Sequence, residues 1–211
     1  MQQCPLIGLV MATYLEAKPF VAGLDCLRSS IGPFTAYRAE NTVLVISGMG
    51  KTNAAMACAC LCMSCPPACL VNIGAAGAAA EGEFCLGGIY QVSAAVEPDR
   101  PHFRTGLPFH HEADRLPGFE EARVATRDKP VVNPDKRREM AKIADLLDME
   151  SAAVIQAARK FQRPCFLFKL VSDTPEHTSE REIPAYIRQY RDSLFAFFHS
   201  RVTTGLEQRF G

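Results

Sequence analysis

Leu147-Asp148-Met149-Glu150-Ser151-Ala152-Ala153 marks the end of a short apolar run and the start of a helix. A Met-Glu pair sits at the junction. In an open α/β sheet, ligands bind outside the carboxyl ends of strands. A glutamate at such an end can accept two sugar hydroxyls, one on each carboxylate oxygen. The plainer reading is that Asp148 and Glu150 cap the helix and complement its dipole. The rest of the chain decides between the two.

Working outward, apolar runs and helical spacings alternate. Pro5 to Ala12 reads as a buried strand, and Tyr14 to Leu27 has helical spacing up to the Ser29-Ser30-Ile31-Gly32-Pro33 turn. Phe34 to Ala39 and Thr42 to Ser47 read as a hairpin. Gly48-Met49-Gly50-Lys51 opens a helix that ends at Pro66-Pro67. Cys69 to Ile73 is a short strand, followed at once by a glycine loop, Gly74 to Ala78. Gly88 to Val96 is a strand. Glu97 to Glu121, with four prolines and three histidines, reads as a long surface loop. Arg123 to Ala125 is a short strand, and Pro134 to Ile143 a charged helix whose Lys and Arg residues form a solvated face. Leu146 to Met149 and Pro164 to Val171 are strands, Ser151 to Phe161 a helix, and Ile183 to Val202 a long amphipathic helix. The expected fold is α/β: one domain over residues 1–211, a three-layer sandwich around a mixed, mostly parallel sheet.

Composition narrows the function. With 211 residues, 48% hydrophobic and 22% charged, the balance is globular. Lys+Arg and Asp+Glu number 23 each, so nothing steers the chain toward nucleic acid or an anionic membrane. Residues 52 to 80 carry no charge, but Pro66-Pro67 interrupts them, so they read as a buried helix and strand rather than a span. Met1 to Pro5 has no basic region of the kind that opens a secretory signal. Nine cysteines, an odd number, favour reduced thiols and a cytoplasmic setting. Cys58, Cys62, Cys65 and Cys69 fall on one helical stripe, as small core residues would. His102, His110 and His111 lack carboxylates or thiols at ligand spacing, and no metal site is expected.

If the strands are roughly parallel, Glu16, the glycine loop, Glu150 and Asp173 meet on one sheet edge. Each alone has a plainer reading: a solvent-facing helix residue, a tight turn, a cap, a turn start before Thr174-Pro175.

Their order is specific. Ile7-Gly8-Leu9-Val10 then Glu16, Ser47 to Lys51, Asn72-Ile73-Gly74-Ala75-Ala76-Gly77, Asp148 to Ala153, and Val171-Ser172-Asp173 resemble, in order and spacing, the nucleoside phosphorylase/nucleosidase superfamily. The resemblance is strongest to 5′-methylthioadenosine/S-adenosylhomocysteine nucleosidases. It implies a homodimer without cofactor that binds a small nucleoside. It also implies roles: Asp173 protonates the purine, Glu16 activates water, Glu150 binds the ribose hydroxyls with Met149 packed beside the sugar, and Gly77 lines the base site. Val131, after Pro130, falls near the base-stacking position, and Ser172 lies beside the acid. Such an acid has to hold its proton in the bound complex.

Phosphorolysis needs cationic donors against phosphate. The arginines of the phosphorylase branch are replaced here by Met11-Ala12-Thr13-Tyr14 and Asn72-Ile73, which favours water as the nucleophile. Ala75 stands where the nucleosidase has serine, and Lys169 where it has arginine. These departures keep three alternatives open: a purine nucleoside phosphorylase, a futalosine hydrolase, and a nucleoside-binding protein with little turnover.

Overall fold

A computed structural model describes residues 5–177, 179 and 181–211. The stretch read for a leader, Met1 to Cys4, lies outside the described residues. The chain runs β1 Ile7–Met11, α1 Tyr14–Gly23, β2 Leu27–Ile31, β3 Phe34–Arg38, β4 Thr42–Ile46, α2 Lys51–Ser64, β5 Cys69–Ala78 and β6 Ile89–Pro101. It continues with β7 Pro108–Glu112, β8 Glu121–Thr126, α3 Pro134–Met140, β9 Leu146–Asp148, α4 Ser151–Lys160, β10 Cys165–Asp173 and α5 Ile183–Phe197. A π-helical turn, Phe198–Val202, then leads into α6 Thr203–Phe210. Among the described residues, no helix is long and apolar enough to cross a membrane.

The expected strands and helices form, with four corrections. The first helix stops at Gly23, and Leu27–Ile31 is an antiparallel partner of β3. The glycine motif is not a loop: β5 runs through it to Ala78. The supposed long loop is partly sheet, because β6 continues to Pro101 and turns back as β7. Cys69 starts β5 and so leaves the cysteine stripe of α2. Cys58 and Cys62 are buried there, and Cys65 is half-buried at its end.

All ten strands join one sheet. It is α/β and mixed, but parallel and antiparallel pairings number five each rather than mostly parallel. Instead of lying open between two helical layers, part of the sheet closes on itself. β10, β6, β8, β9 and β5 form a ring, closed by the β5–β10 pairing. β1, β4, β3 and β2 extend from it as an arm.

Alternation of side chains sorts two of the three apolar clusters onto opposite faces of the sheet. Val10, Leu70, Leu167 and Val171 join the faces of α2 and α4. Leu9, Met11, Val71, Phe166 and Phe168 pack with Phe20 of α1 and Leu194 and Phe198 of the C-terminal helices. The fifteen-residue α5 and the π-helical turn after it share one apolar stripe, in which Leu194 and Phe198 are buried and Tyr186 and Tyr190 half-buried.

The strand that positions everything is β5. β10 runs beside it from Leu70 to Gly77. On its other side β1 covers only Cys69–Asn72, and β9 covers only Gly77–Ala78, in the opposite direction. Two strand ends therefore point at each other across Gly74–Ala76. This replaces the expected row of parallel ends: Glu150 arrives from a strand running against β5, not with it.

Candidate active site

Thr13 caps α1 through a capping box. Its Oγ1 accepts from Glu16 N at 3.4 Å, and Glu16 Oε2 accepts from Thr13 N at 3.0 Å and from Thr13 Oγ1 at 2.6 Å. The other oxygen, Oε1, accepts from Ala75 N at 2.8 Å. Glu16 is thus buried against β5, not solvent-facing.

At the opposing strand end, the two acids of Asp148-Met149-Glu150 divide the work. Asp148 is the cap: its Oδ2 accepts from Ser151 N at 2.9 Å and Ser151 Oγ at 2.6 Å, and its Oδ1 from Thr126 Oγ1 at 2.6 Å. Lys169 reaches it from β10 at 2.8 Å, with both side chains fully buried. Burial disfavours the Asp148 carboxylate, but Lys169, Ser151 and Thr126 outweigh it and hold the pKa below the usual range. Burial also disfavours the Lys169 ammonium, and Asp148, Glu150 and Glu16 outweigh it, so its pKa is raised. Lys169, which stands where the nucleosidases have arginine, is the buried counter-ion of Asp148.

Glu150 caps nothing. Its Oε1 accepts from Gly50 N at 3.0 Å, across the turn between β4 and α2. Gly50 sits at φ +97°, a conformation that favours glycine, and this turns its N–H inward. Burial pushes the Glu150 carboxyl up to about 7, reinforced by Asp148 and Glu16 and opposed by Lys169 and the Gly50 N–H.

The third carboxylate ends β10. The β5–β10 register slips between Val171 and Asp173, leaving Ser172 as an extra residue. Such bulges re-aim side chains beside functional sites. Ser172 Oγ donates to Asp173 Oδ1 at 2.7 Å. Asp173 Oδ2 is held by a residue that sequence reasoning placed on a solvated face. Arg137 of α3 is 2% exposed and donates Nη2 to Asp173 Oδ2, Nη1 to Ala78 O at 2.6 Å and Nε to Val131 O at 2.8 Å. Its charged neighbours concealed it, but it lies three residues before buried Met140, on the same helical face.

Seven expected site residues, Glu16, Gly77, Val131, Met149, Glu150, Ser172 and Asp173, line one cleft of about 480 Å³. That volume suits a small molecule. Ile183 and Ile187 of α5 form part of its wall. His102, His110 and His111 do not line it. His111 instead bonds Glu97 at 2.8 Å, within a cluster that also holds Lys51 and Arg100.

Comparison of the sequence with curated proteins gives no match. Solved structures match closely in shape. A futalosine hydrolase of Helicobacter pylori superposes with a TM-score of 0.86 at 17% identity, over 97% of this chain and 100% of that one. A point mutant of the Helicobacter pylori nucleosidase MTAN, crystallised with 5′-methylthioadenosine in its active site, gives 0.84 at 17%, over 95% and 99%. The apo 5′-methylthioadenosine nucleosidase of Arabidopsis thaliana gives 0.83 at 19%, over 95% of each chain. At these identities the likeness establishes the fold. The model of the phosphorylase superfamily aligns with residues 7–198, from the first strand to the π-helical turn: the chain belongs to the phosphorylase superfamily.

Proposed function

We propose that the protein hydrolyses the N-glycosidic bond of a purine-type nucleoside. The observation that carries this is the convergence of three buried carboxylates, Glu16, Glu150 and Asp173, on one cleft, each held by a donor from another segment of the chain: Ala75, Gly50 and Arg137. Breaking the bond between sugar C1′ and purine N9 builds positive charge on the ribose and negative charge on the base. Glu16 takes the proton of an attacking water, and its carboxylate stabilises the oxocarbenium-like sugar. Glu150 accepts the two ribose hydroxyls, one per oxygen once ionised. Asp173 faces the base and delivers the proton it needs. General acid catalysis of this kind is worth about 10²–10⁴-fold.

Water rather than phosphate is favoured because Thr13, Glu16 and Ala75 offer no cation. Of the cationic residues lining the cleft, Lys129 is exposed and Arg137 is held beside Asp173 at Gly77, three residues along β5 from Gly74, where Glu16 sits. The nucleosidase structures make methylthioadenosine and adenosylhomocysteine substrates to test, and the futalosine hydrolase structure adds futalosine.

The test incubates the protein with methylthioadenosine, adenosylhomocysteine, adenosine, inosine and futalosine, with and without phosphate. Free base released without phosphate is the expected result. A strict phosphate requirement would make the protein a phosphorylase, and tight binding without release would make it a nucleoside-binding protein.

A further inference from the structure

We propose that Arg137 makes the base site selective for 6-oxopurines over 6-aminopurines. The inference rests on the nucleosidase reading and adds the class of base. Guanidinium is donor-only, with five N–H groups and no acceptor. Arg137 uses one N–H each on Val131 O, Ala78 O and Asp173 Oδ2, and two of its N–H groups are outside these three bonds. Its side chain lines the cleft beside Asp173 and Val131.

The edge of a purine that faces an acid at its five-membered ring carries N7 and the 6-substituent together. In a 6-oxopurine, both N7 and O6 accept. In a 6-aminopurine, N7 accepts but the 6-amino group donates. An aspartic acid alone suits the second pattern: one oxygen protonates N7 and the other accepts from the amino group. Here that second oxygen is already shared. Asp173 Oδ2 already accepts from Arg137, and Oδ1 from Ser172. A 6-amino group entering this corner would compete with Arg137 for that oxygen and set its N–H groups beside guanidinium N–H groups, which offer no acceptor. A 6-oxo group meets a donor, and the guanidinium also offsets the negative charge that collects on O6 and N7 as the base departs.

The backbone is shaped around this pair. A Cβ on Gly77 would lie 2.5 Å from Asp173 Oδ2 and 3.1 Å from Arg137 Nη2, so the side chains occupy the space a larger residue would take. Gly77 therefore admits the ion pair to the floor of the cleft.

Binding and turnover together test the proposal. Hypoxanthine, purine and adenine are titrated against the wild-type protein by calorimetry, and inosine and adenosine are compared by kcat/KM without phosphate. Bidentate donor pairs of this kind discriminate by about ten-fold or more. The expected order of affinity is hypoxanthine, then purine, then adenine, with inosine cleaved in preference to adenosine by a similar factor. In Arg137→Met, with folding checked by circular dichroism, the hypoxanthine-to-adenine ratio falls toward one. A purely structural arginine would lower stability and leave that ratio unchanged. Adenine binding the wild type as tightly as hypoxanthine overturns the proposal, and so does a ratio that survives in Arg137→Met. If Arg137→Met does not fold, the three-base order in the wild type still decides. If no nucleoside is cleaved, the nucleosidase reading fails, while the base order still judges the role of Arg137.

Discussion

The backbone N–H of Ala75 donates to Glu16 Oε1 at 2.8 Å, anchoring the first turn of α1 on the middle of β5. With Thr13 donating twice to the other oxygen, the carboxylate has three donors and no room to rotate. The resemblance leads one to expect serine at position 75. The group in use is a backbone N–H, which alanine supplies equally well. Replacing Glu16 by Gln keeps the shape but removes the ability to take a proton. The expected loss is about 10²–10⁴-fold in kcat with little change in KM. Ala75→Ser is expected to leave both constants within a few-fold. Steady-state kinetics on the best nucleoside checks both, and an active Glu16→Gln would remove Glu16 from the mechanism.

Two glycines of β5 hold open the space these acids occupy. A Cβ on Gly74 would lie 2.8 Å from Glu16 Oε1, and one on Gly77 2.5 Å from Asp173 Oδ2. In both cases the obstacle is the end of a side chain, so the fold can yield and the site cannot. Gly74→Ala and Gly77→Ala are each expected to fold, at an overpacking cost of about 1–3 kcal/mol. Displacing the acids is expected to lower kcat/KM by about 10²-fold. Thermal melts and kinetics on the two variants separate these effects. Full activity in either would show that the acid there tolerates displacement.

The same glycines explain what could be read from the sequence. β1, β4 and β10 were legible because their apolar runs are buried on both faces. The second half of β5 was not, since Gly-Ala-Ala-Gly-Ala has little strand propensity; pairing with β10 and β9 fixes it. β2, Leu-Arg-Ser-Ser-Ile, is an edge strand with only Ile31 buried, so it carries no hydrophobic alternation. The site residues were legible through motif order, but their convergence depends on β9 running against β5, which no local pattern encodes. Arg137 was missed because a charge run conceals one buried member. Its partner, Asp173, is 36 positions away.

Lys169 and Asp148 form a buried pair at 2.8 Å, with Thr126 and Ser151 filling the remaining acceptor positions of the carboxylate. Removing one partner leaves a buried charge unpaired, which costs about 3–5 kcal/mol. Lys169→Met is therefore expected to lower the urea midpoint strongly. Lys169→Met combined with Asp148→Asn is expected to recover much of the loss, because neither charge remains. A double variant no more stable than Lys169→Met would show that the lysine acts through packing rather than through its partner.

Glu150 sets opposite pH dependences for stability and for binding. Burial pushes its carboxyl up to about 7 from an ordinary 4.5. The folded state thus holds this proton more tightly than the unfolded chain does. The resulting stability is fully present below about 4.5 and is lost as pH rises through about 7. Binding runs the other way, since only the ionised carboxylate offers both oxygens to the ribose hydroxyls. Wild-type KM is expected to fall as pH rises through about 7, the range in which this part of the stability declines. Glu150→Gln has no proton to release. It is expected to show a high KM without that step, and to gain stability relative to wild type at pH above about 7. KM profiles and urea unfolding on both sides of that pH check the two halves separately. A KM step that persists in Glu150→Gln would move the titrating group elsewhere in the cleft.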